Sequence, residues 1–384
     1  MRPNLRSDLS PGGVPARPGA TGFGPGPRRG LLSAACQVRR PALAMEPVES
    51  RPQMRTVERL TCPLCGSSGT LFYRDLRDCL YGAPGRWGFR RCPNPQCGLL
   101  WLDPAPVAED IALAYQRYFT HLQSAQTGSS FADLRSRLYA CYRQILRVTD
   151  FCIGLHKACR AVEEMCLGDC PPGRLLDVGC GDGAFLHRMQ QRGWEVAGVD
   201  FDAAAVAAAR QRYGLELFAG DLHDAHFPAE NFDAVTLNHV IEHLYNPLET
   251  LQEIRRVLRP RGLLALVTPN PDSFGHQQYG ADWFGLDPPR HLHLFRPANL
   301  QALLERTGFR VRTLHTTAVH ADVFLGASRS IRQARRTGQS GPVSERIRPL
   351  RALVAALERY GEHLRLRRSP MRGEEIIVTA QPAG

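Results

Sequence analysis

Lysine is all but missing from this 384-residue chain: Lys157 is the only one, and arginine supplies the rest of the 48 basic side chains. A skew in base composition would produce that bias, so the formal net charge of +11 is weak support for a nucleic-acid partner. The excess also lies outside the predicted core, at Arg28, Arg29, Arg39 and Arg40 and, later, at Arg332, Arg335, Arg336, Arg365, Arg367 and Arg368. A solvated arginine-rich face is the favoured reading, with weak contact to an anionic membrane surface through the later segment as the alternative. Also missing is any run of about 18 apolar residues, which excludes an ordinary transmembrane helix. The twelve cysteines, among them the scattered Cys141, Cys152 and Cys159, show no disulfide framework, and reduced thiols point to the cytoplasm. With 43% hydrophobic and 22% charged residues, the composition is that of a soluble globular protein.

Residues 1–59 read as a disordered tail rich in proline, glycine and arginine, with too little apolar surface to offset its chain entropy. The mildly apolar stretch Leu31–Cys36 is too short for a signal sequence, and Met45 and Met54 are alternative starts. A cysteine-bearing block follows over 60–104. A connector over 105–170 reads as helical because Leu134, Leu138, Tyr142, Ile145 and Leu146 recur at helix spacing.

From 171 to 384 short apolar runs alternate with helix-like stretches. Strands are predicted at Leu175–Val178, Val196–Val199, Leu215–Phe218, Ala234–Leu237, Leu263–Val267 and Val311–Val319, with a last one at Glu375–Ala380. Helices are predicted at Ala203–Tyr213 and Pro247–Leu258, and an arginine-rich helical insertion at about 326–372. Such alternation argues for a parallel sheet covered by helices on both faces.

The sharpest motif is Leu175-Leu176-Asp177-Val178-Gly179-Cys180-Gly181-Asp182-Gly183, a strand entering a turn with glycines at alternate positions. Glycine is needed where backbone turns tightly against a ligand. The spacing differs from the dinucleotide fingerprint, and a carboxylate at Asp177 suits a ligand bearing an ammonium group rather than a pyrophosphate. Later strands end at Asp200, at Gly220-Asp221-Leu222 and at Asn238-His239, so acids fall in order along the carboxyl edge of the sheet. Asp200 is placed for ribose hydroxyls and Asp221 for an adenine amino group.

With these motifs, residues 174–311 resemble class I S-adenosylmethionine-dependent methyltransferases of the ubiquinone-biosynthesis type. The resemblance also rests on Asn238-His239-Val240-Ile241-Glu242-His243-Leu244 and on Val257-Leu258-Arg259-Pro260-Arg261-Gly262. It implies a Rossmann-like α/β fold with a seven-stranded sheet, the last strand antiparallel. It further implies that Asp177, Gly179, Gly181 and Gly183 hold the methionine part of S-adenosylmethionine. Asp200 would hold the ribose, Asp221 and Leu222 would frame the adenine, and Phe201 and Asn238 complete the set.

Cys62-Pro63-Leu64-Cys65-Gly66 reads as a metal knuckle, and Cys92 and Cys97 form a second one with a longer loop. Four thiolates suit a closed, tetrahedral structural Zn²⁺ site, whose metal supplies folding free energy to so small a ribbon. A ribbon before this core resembles bacterial methyltransferases with sugar and polysaccharide functions, as does Tyr279–Phe295. That makes a small-molecule acceptor, a sugar or related metabolite, the expectation. A zinc-containing rRNA or tRNA methyltransferase is the rival, although such enzymes normally use a histidine in the zinc site. A degenerate fold serving as a binding module is the third.

For catalysis the candidates are His239, Glu242 and His243 after the fourth core strand, and His291 and His293 after the fifth. If the first group is helical, His239 and His243 share a face. Either a histidine base, with His291 or His243 favoured, or a divalent metal held by this cluster could activate an acceptor; mere packing is the bland alternative.

Overall fold

Around the paired cysteines the chain forms short strands: β1 (Thr56–Val57), β2 (Thr70–Leu76), β3 (Trp87–Arg91), β4 (Leu100–Leu102) and β5 (Ala105–Pro106). The structure, a computed structural model, describes residues 53–116, 144, 148–151, 153–338 and 349–383. Strands β2, β3 and β4 pair antiparallel. Trp101 on β4 is fully buried, and its indole N–H donates to the Arg59 carbonyl at 2.7 Å. Gly69 is required beneath that ring, since a Cβ there would lie 2.2 Å from it.

The core follows in the order α1 (His156–Glu163), β6 (Arg174–Val178), α2 (Ala184–Gln190), β7 (Glu195–Asp200), α3 (Ala203–Tyr213), β8 (Leu217–Ala219), β9 (Phe232–Asn238) and α4 (Pro247–Val257). It continues through β10 (Leu258–Pro269), α5 (Phe274–Tyr279), β11 (His293–Leu294), α6 (Pro297–Arg306), β12 (Phe309–Thr317), α7 (Ala321–Thr337), α8 (Pro349–Leu366) and β13 (Glu375–Pro382). Seven of these strands make one sheet in the order β12-β13-β10-β9-β6-β7-β8. The pairs from β10 to β8 are parallel, whereas β13 runs antiparallel to both β10 and β12. This is the Rossmann-like methyltransferase sheet anticipated from the sequence.

Side-chain alternation explains how both faces are covered. On β6, Leu175 packs into one apolar cluster and Leu176 into the opposite one, as a period of two requires. Helices begin where the sequence supplies a cap: the Asp202 carboxylate accepts from the Ala204 and Ala205 amides, and α3 stops at left-handed Gly214. The chain leaves β6 toward β7 on one side and later returns to β9 on the other. That reversal opens a crevice at the carboxyl ends of β6 and β9.

Three boundaries differ from expectation. Residues 53–59 belong to the fold, because β1 pairs with β5 and Met54 is buried; residues 1–52 of the expected tail lie outside the described residues. The cysteine block is not a separate module in front of the core. Strand β4 pairs with β11, Cys62, Cys92, Cys97 and Trp101 share one apolar cluster with sheet residues, and Asn299 donates to the Cys97 carbonyl at 2.7 Å. The expected connector opens on β5 and a 3-10 turn, Ala108–Ala114, rather than an α-helix. Leu134, Leu138, Tyr142, Ile145 and Leu146, whose spacing carries the helical expectation, lie outside the described residues. The arginine-rich insertion does contain helices, α7 and α8. Among the described residues no helix is long and apolar enough to cross a membrane.

Candidate active site

Four consecutive strand ends build the crevice. After β6 comes the glycine turn, with Gly179, Gly181 and Gly183 all at positive φ. At Gly179 a Cβ would lie 2.4 Å from the Val240 side chain, so this turn is pressed against the segment that follows β9. Asp177 at the end of β6 is buried and accepts from the Thr236 hydroxyl at 2.6 Å. Burial pushes its carboxyl up to about 7; the Thr236 hydrogen bond opposes the rise and the nearby Asp200 charge adds to it.

Asp200 ends β7, also buried, and accepts from the amides of Gly181 at 2.7 Å and Asp202 at 2.9 Å. Beside it the Phe201 side chain is 57% exposed. After β8, Asp221 accepts from the His223 amide at 2.9 Å, and Leu222 is buried. Asn238 ends β9 with an exposed side chain.

The histidines divide into two groups joined by Glu242. Residues Ile241–His243 form a single 3-10 turn, and His239 precedes it at φ +54. His239 and His243 therefore do not share a helical face, which corrects the helix-based expectation. The His239 ring reaches Glu242 at 3.2 Å and Glu375, at the start of β13, at 2.9 Å. Burial alone would lower its pKa, but the two carboxylates outweigh that and hold it at about 10. Both ring nitrogens of His239 thus face carboxylates, an arrangement that favours the protonated ring.

His243 faces the other way. Its Nδ1–H donates to the Arg290 carbonyl at 2.9 Å, which leaves Nε2 with the lone pair in the neutral ring. His291 donates in the same manner from Nδ1 to the Gly285 carbonyl at 2.8 Å, and the two rings lie 4.7 Å apart, edge to face. Burial, helped by His243, lowers the His291 pKa to about 4. One ring nitrogen from each of these histidines and a carboxylate oxygen of Glu242 lie within 4.8 Å of one another. Glu242 is fully buried and also accepts from the Thr268 hydroxyl at 2.9 Å. His293 is not part of this cluster. It sits on β11 opposite Trp101, where burial and the Arg59 charge lower its pKa to about 3.

Several contributors carry no local signal in the sequence. Tyr115, from the connector, packs against Phe201 at 5.1 Å and places its hydroxyl 3.2 Å from His243. Arg290 is fully buried; it pairs with Asp287 and, across to the ribbon, with Asp78 at 2.9 Å. Glu375 and His320 also reach the site's edge only through the fold. A Glu374-Glu375 pair opening an apolar strand is the one clue that the sequence offered.

The sulfur atoms of Cys62 and Cys97 are 3.7 Å apart and those of Cys65 and Cys92 are 3.4 Å apart. All four lie within 4.8 Å of one another. Thiolates at about 2.3 Å from a tetrahedral zinc are separated by roughly 3.8 Å, so the donor set fits that ion.

Known proteins bear on the same region. Residues 153–314 match a family described as a methyltransferase domain. The relatives include a "Probable S-adenosylmethionine-dependent methyltransferase" of Mycolicibacterium smegmatis, 34% identical over 37% of this chain and 54% of its own length. A ubiquinone biosynthesis O-methyltransferase of Alkalilimnicola ehrlichii is 30% identical over 39% of this chain and 65% of its own. The chain thus spans less than two thirds of these curated relatives. A solved S-adenosylmethionine-dependent methyltransferase of Mesorhizobium loti aligns with 59% of this chain and 96% of its own, at 18% identity and a TM-score of 0.40. Residues 153–314 are thus similar to methyltransferase domains, and the sheet order and glycine turn of the core agree with that likeness.

Proposed function

We propose that the protein transfers a methyl group from S-adenosylmethionine to a small-molecule acceptor, a sugar or a related metabolite. The observation that carries this reading is the pair of buried carboxylates, Asp177 and Asp200, at adjacent strand ends around a glycine turn. Asp177 would hold the ammonium of the cofactor and Asp200 its ribose, with Asp221, Leu222 and Phe201 around the adenine. The cofactor, when bound, supplies a methyl group already activated on a sulfonium. What remains for this chain is to align a nucleophile and take its proton. His291 and His243 fit the second task, because the Nδ1–H of each is fixed by a carbonyl. The Glu242–His243–His291 group would alternatively fit a divalent ion that orients an acceptor hydroxyl.

The four cysteines are proposed to hold a structural zinc with no open coordination position. A small acceptor is favoured over nucleic acid because part of the late arginine charge is matched internally. Arg332 and Arg335 pair with Asp282, Arg329 with Glu358 and Arg359 with Asp150.

Calorimetry with S-adenosylmethionine tests the reading. Asp200→Ala should weaken binding by about 1.5–3 kcal/mol, the scale of hydrogen bonds to a charged group. Unchanged affinity would remove Asp200 from the site, and no binding by the unaltered protein would favour a binding module without transferase activity.

A further inference from the structure

A second concavity, of about 570 Å³, lies where the ribbon meets the segment leaving the carboxyl end of β10. Its walls carry three guanidinium groups, Arg91 from β3, Arg296 just before α6, and Arg372 just before β13. Only one carboxylate lines the same cavity, Asp272, and it is taken up by Arg296 at 2.8 and 3.0 Å. Neither Arg91 nor Arg372 makes an ion pair with a carboxylate among the described residues. Two positive charges are therefore unmatched.

Both of these side chains are nonetheless directed. Arg91 lies over the Phe72 ring at 5.5 Å. Arg372 lies over Phe274 at 5.1 Å and donates to the Gln277 side chain at 2.8 Å. The floor is aromatic and neutral: the Tyr73 hydroxyl bonds to Nε2 of His276, whose ring stacks on Trp283 at 4.7 Å. The His276 Nδ1–H donates to the Pro271 carbonyl at 2.6 Å, which leaves Nε2 to accept from Tyr73, and burial lowers the ring's pKa against the opposing Pro271 bond and Asp272 charge. Paired arginines suit the oxygens of a doubly charged phosphoryl group. The cavity is also far larger than a phosphate ion and lies within the range of small-molecule sites.

We propose that this cavity binds a small-molecule phosphate ester, its phosphoryl group on Arg91 and Arg372 and its organic part along Phe72 and Tyr73. This binding does not rest on the methyltransferase reading.

The test uses the full chain, with phenyl phosphate and inorganic phosphate as probes in calorimetry at physiological salt. Phenyl phosphate should bind more tightly than inorganic phosphate. Arg91→Gln and Arg372→Gln should each weaken it about tenfold or more, the loss of a charge-assisted pair. Arg310→Gln, on the exposed edge of β12, should change nothing. Titration of S-adenosylmethionine into the same variants should give unaltered affinity, which also checks their folding. If phenyl phosphate does not bind, or if all three arginine variants weaken it equally, the proposal is overturned. If S-adenosylmethionine fails to bind while phenyl phosphate binds as described, the cavity stands and the methyltransferase reading falls.

Discussion

Nε2 of His239 lies 2.9 Å from a carboxylate oxygen of Glu375, a residue 136 positions later in the chain. The same carboxylate accepts from His320 at 2.9 and 3.0 Å, so one buried acid ties the turn after β9 to β13 and the start of α7. Glu375→Gln should therefore destabilise the fold by about 1.5–3 kcal/mol, measurable by urea denaturation near neutral pH. The pH dependence follows from linkage. His239, raised to about 10, contributes stability in full below roughly 6.5 and loses it as pH climbs through 10. Glu242, lowered to about 2, contributes above roughly 4.3 and loses it as pH falls toward 2. NMR titration of the His239 ring should show its pKa falling in Glu375→Gln; an unmoved value would refute the pairing.

Asp177 gives a signature in binding rather than stability. With its carboxyl at about 7, the acid is partly neutral at physiological pH, and an ammonium-bearing ligand favours the charged form. Affinity for S-adenosylmethionine should rise as pH increases through about 7 and then level off. Asp177→Asn should bind weakly and lose that dependence. A flat profile in the unaltered protein would argue that Asp177 does not meet the ammonium.

The sheet and its carboxyl edge were legible because their signals are local. Alternation at Leu175 and Leu176, the glycines after Asp177 and the acids at successive strand ends are each written within a few residues. The division of the histidines was not legible. His239 takes a left-handed backbone that ends any helical spacing, and its partner Glu375 is brought in only by the antiparallel pairing of β13 with β10. The same holds for the ribbon. Its cysteine spacing points to a metal knuckle, but nothing near Leu100 announces that β4 pairs with β11.

That pairing alters what metal loss should do. The Cys97 carbonyl accepts from Asn299, the Leu64 carbonyl from Arg306, and three of the cysteines lie in the apolar cluster of the main sheet. One zinc per chain is expected in metal analysis, and Cys62→Ser should lose it. Removal should lower the thermal midpoint of the whole protein rather than melt the ribbon alone, because the ribbon has no independent core. Two separate transitions after chelation would show that the ribbon unfolds by itself.

Arg290 is the buried joint between ribbon, connector and histidine loop. It pairs with Asp287 and Asp78 and donates to the Ala114 carbonyl at 2.9 Å. Arg290→Ala strands two buried carboxylates, and breaking such a pair costs roughly 3–5 kcal/mol. Denaturant titration should show a loss of that size, and Arg290→Lys should restore little of it, since one ammonium cannot replace the fork that meets both acids.

The proton acceptor is the final question, and substitution can separate His291 from His243. His291, lowered to about 4, stays neutral across the physiological range and keeps a lone pair on Nε2. A base of this kind works without a neighbour to deprotonate it, so turnover limited by His291 should persist as pH falls past 6.5 and decline only near 4. His291→Ala should then lower turnover by about 10²–10⁴, the usual contribution of a positioned base, with little change in S-adenosylmethionine affinity. His243→Ala should act more mildly, through loss of its edge-to-face contact with His291 and its bond to the Arg290 carbonyl. Both losses becoming equal, together with inactivation by a chelator that leaves the cysteine-bound zinc in place, would instead assign the Glu242–His243–His291 group to a catalytic metal. Full turnover in both variants would make the cluster a packing element.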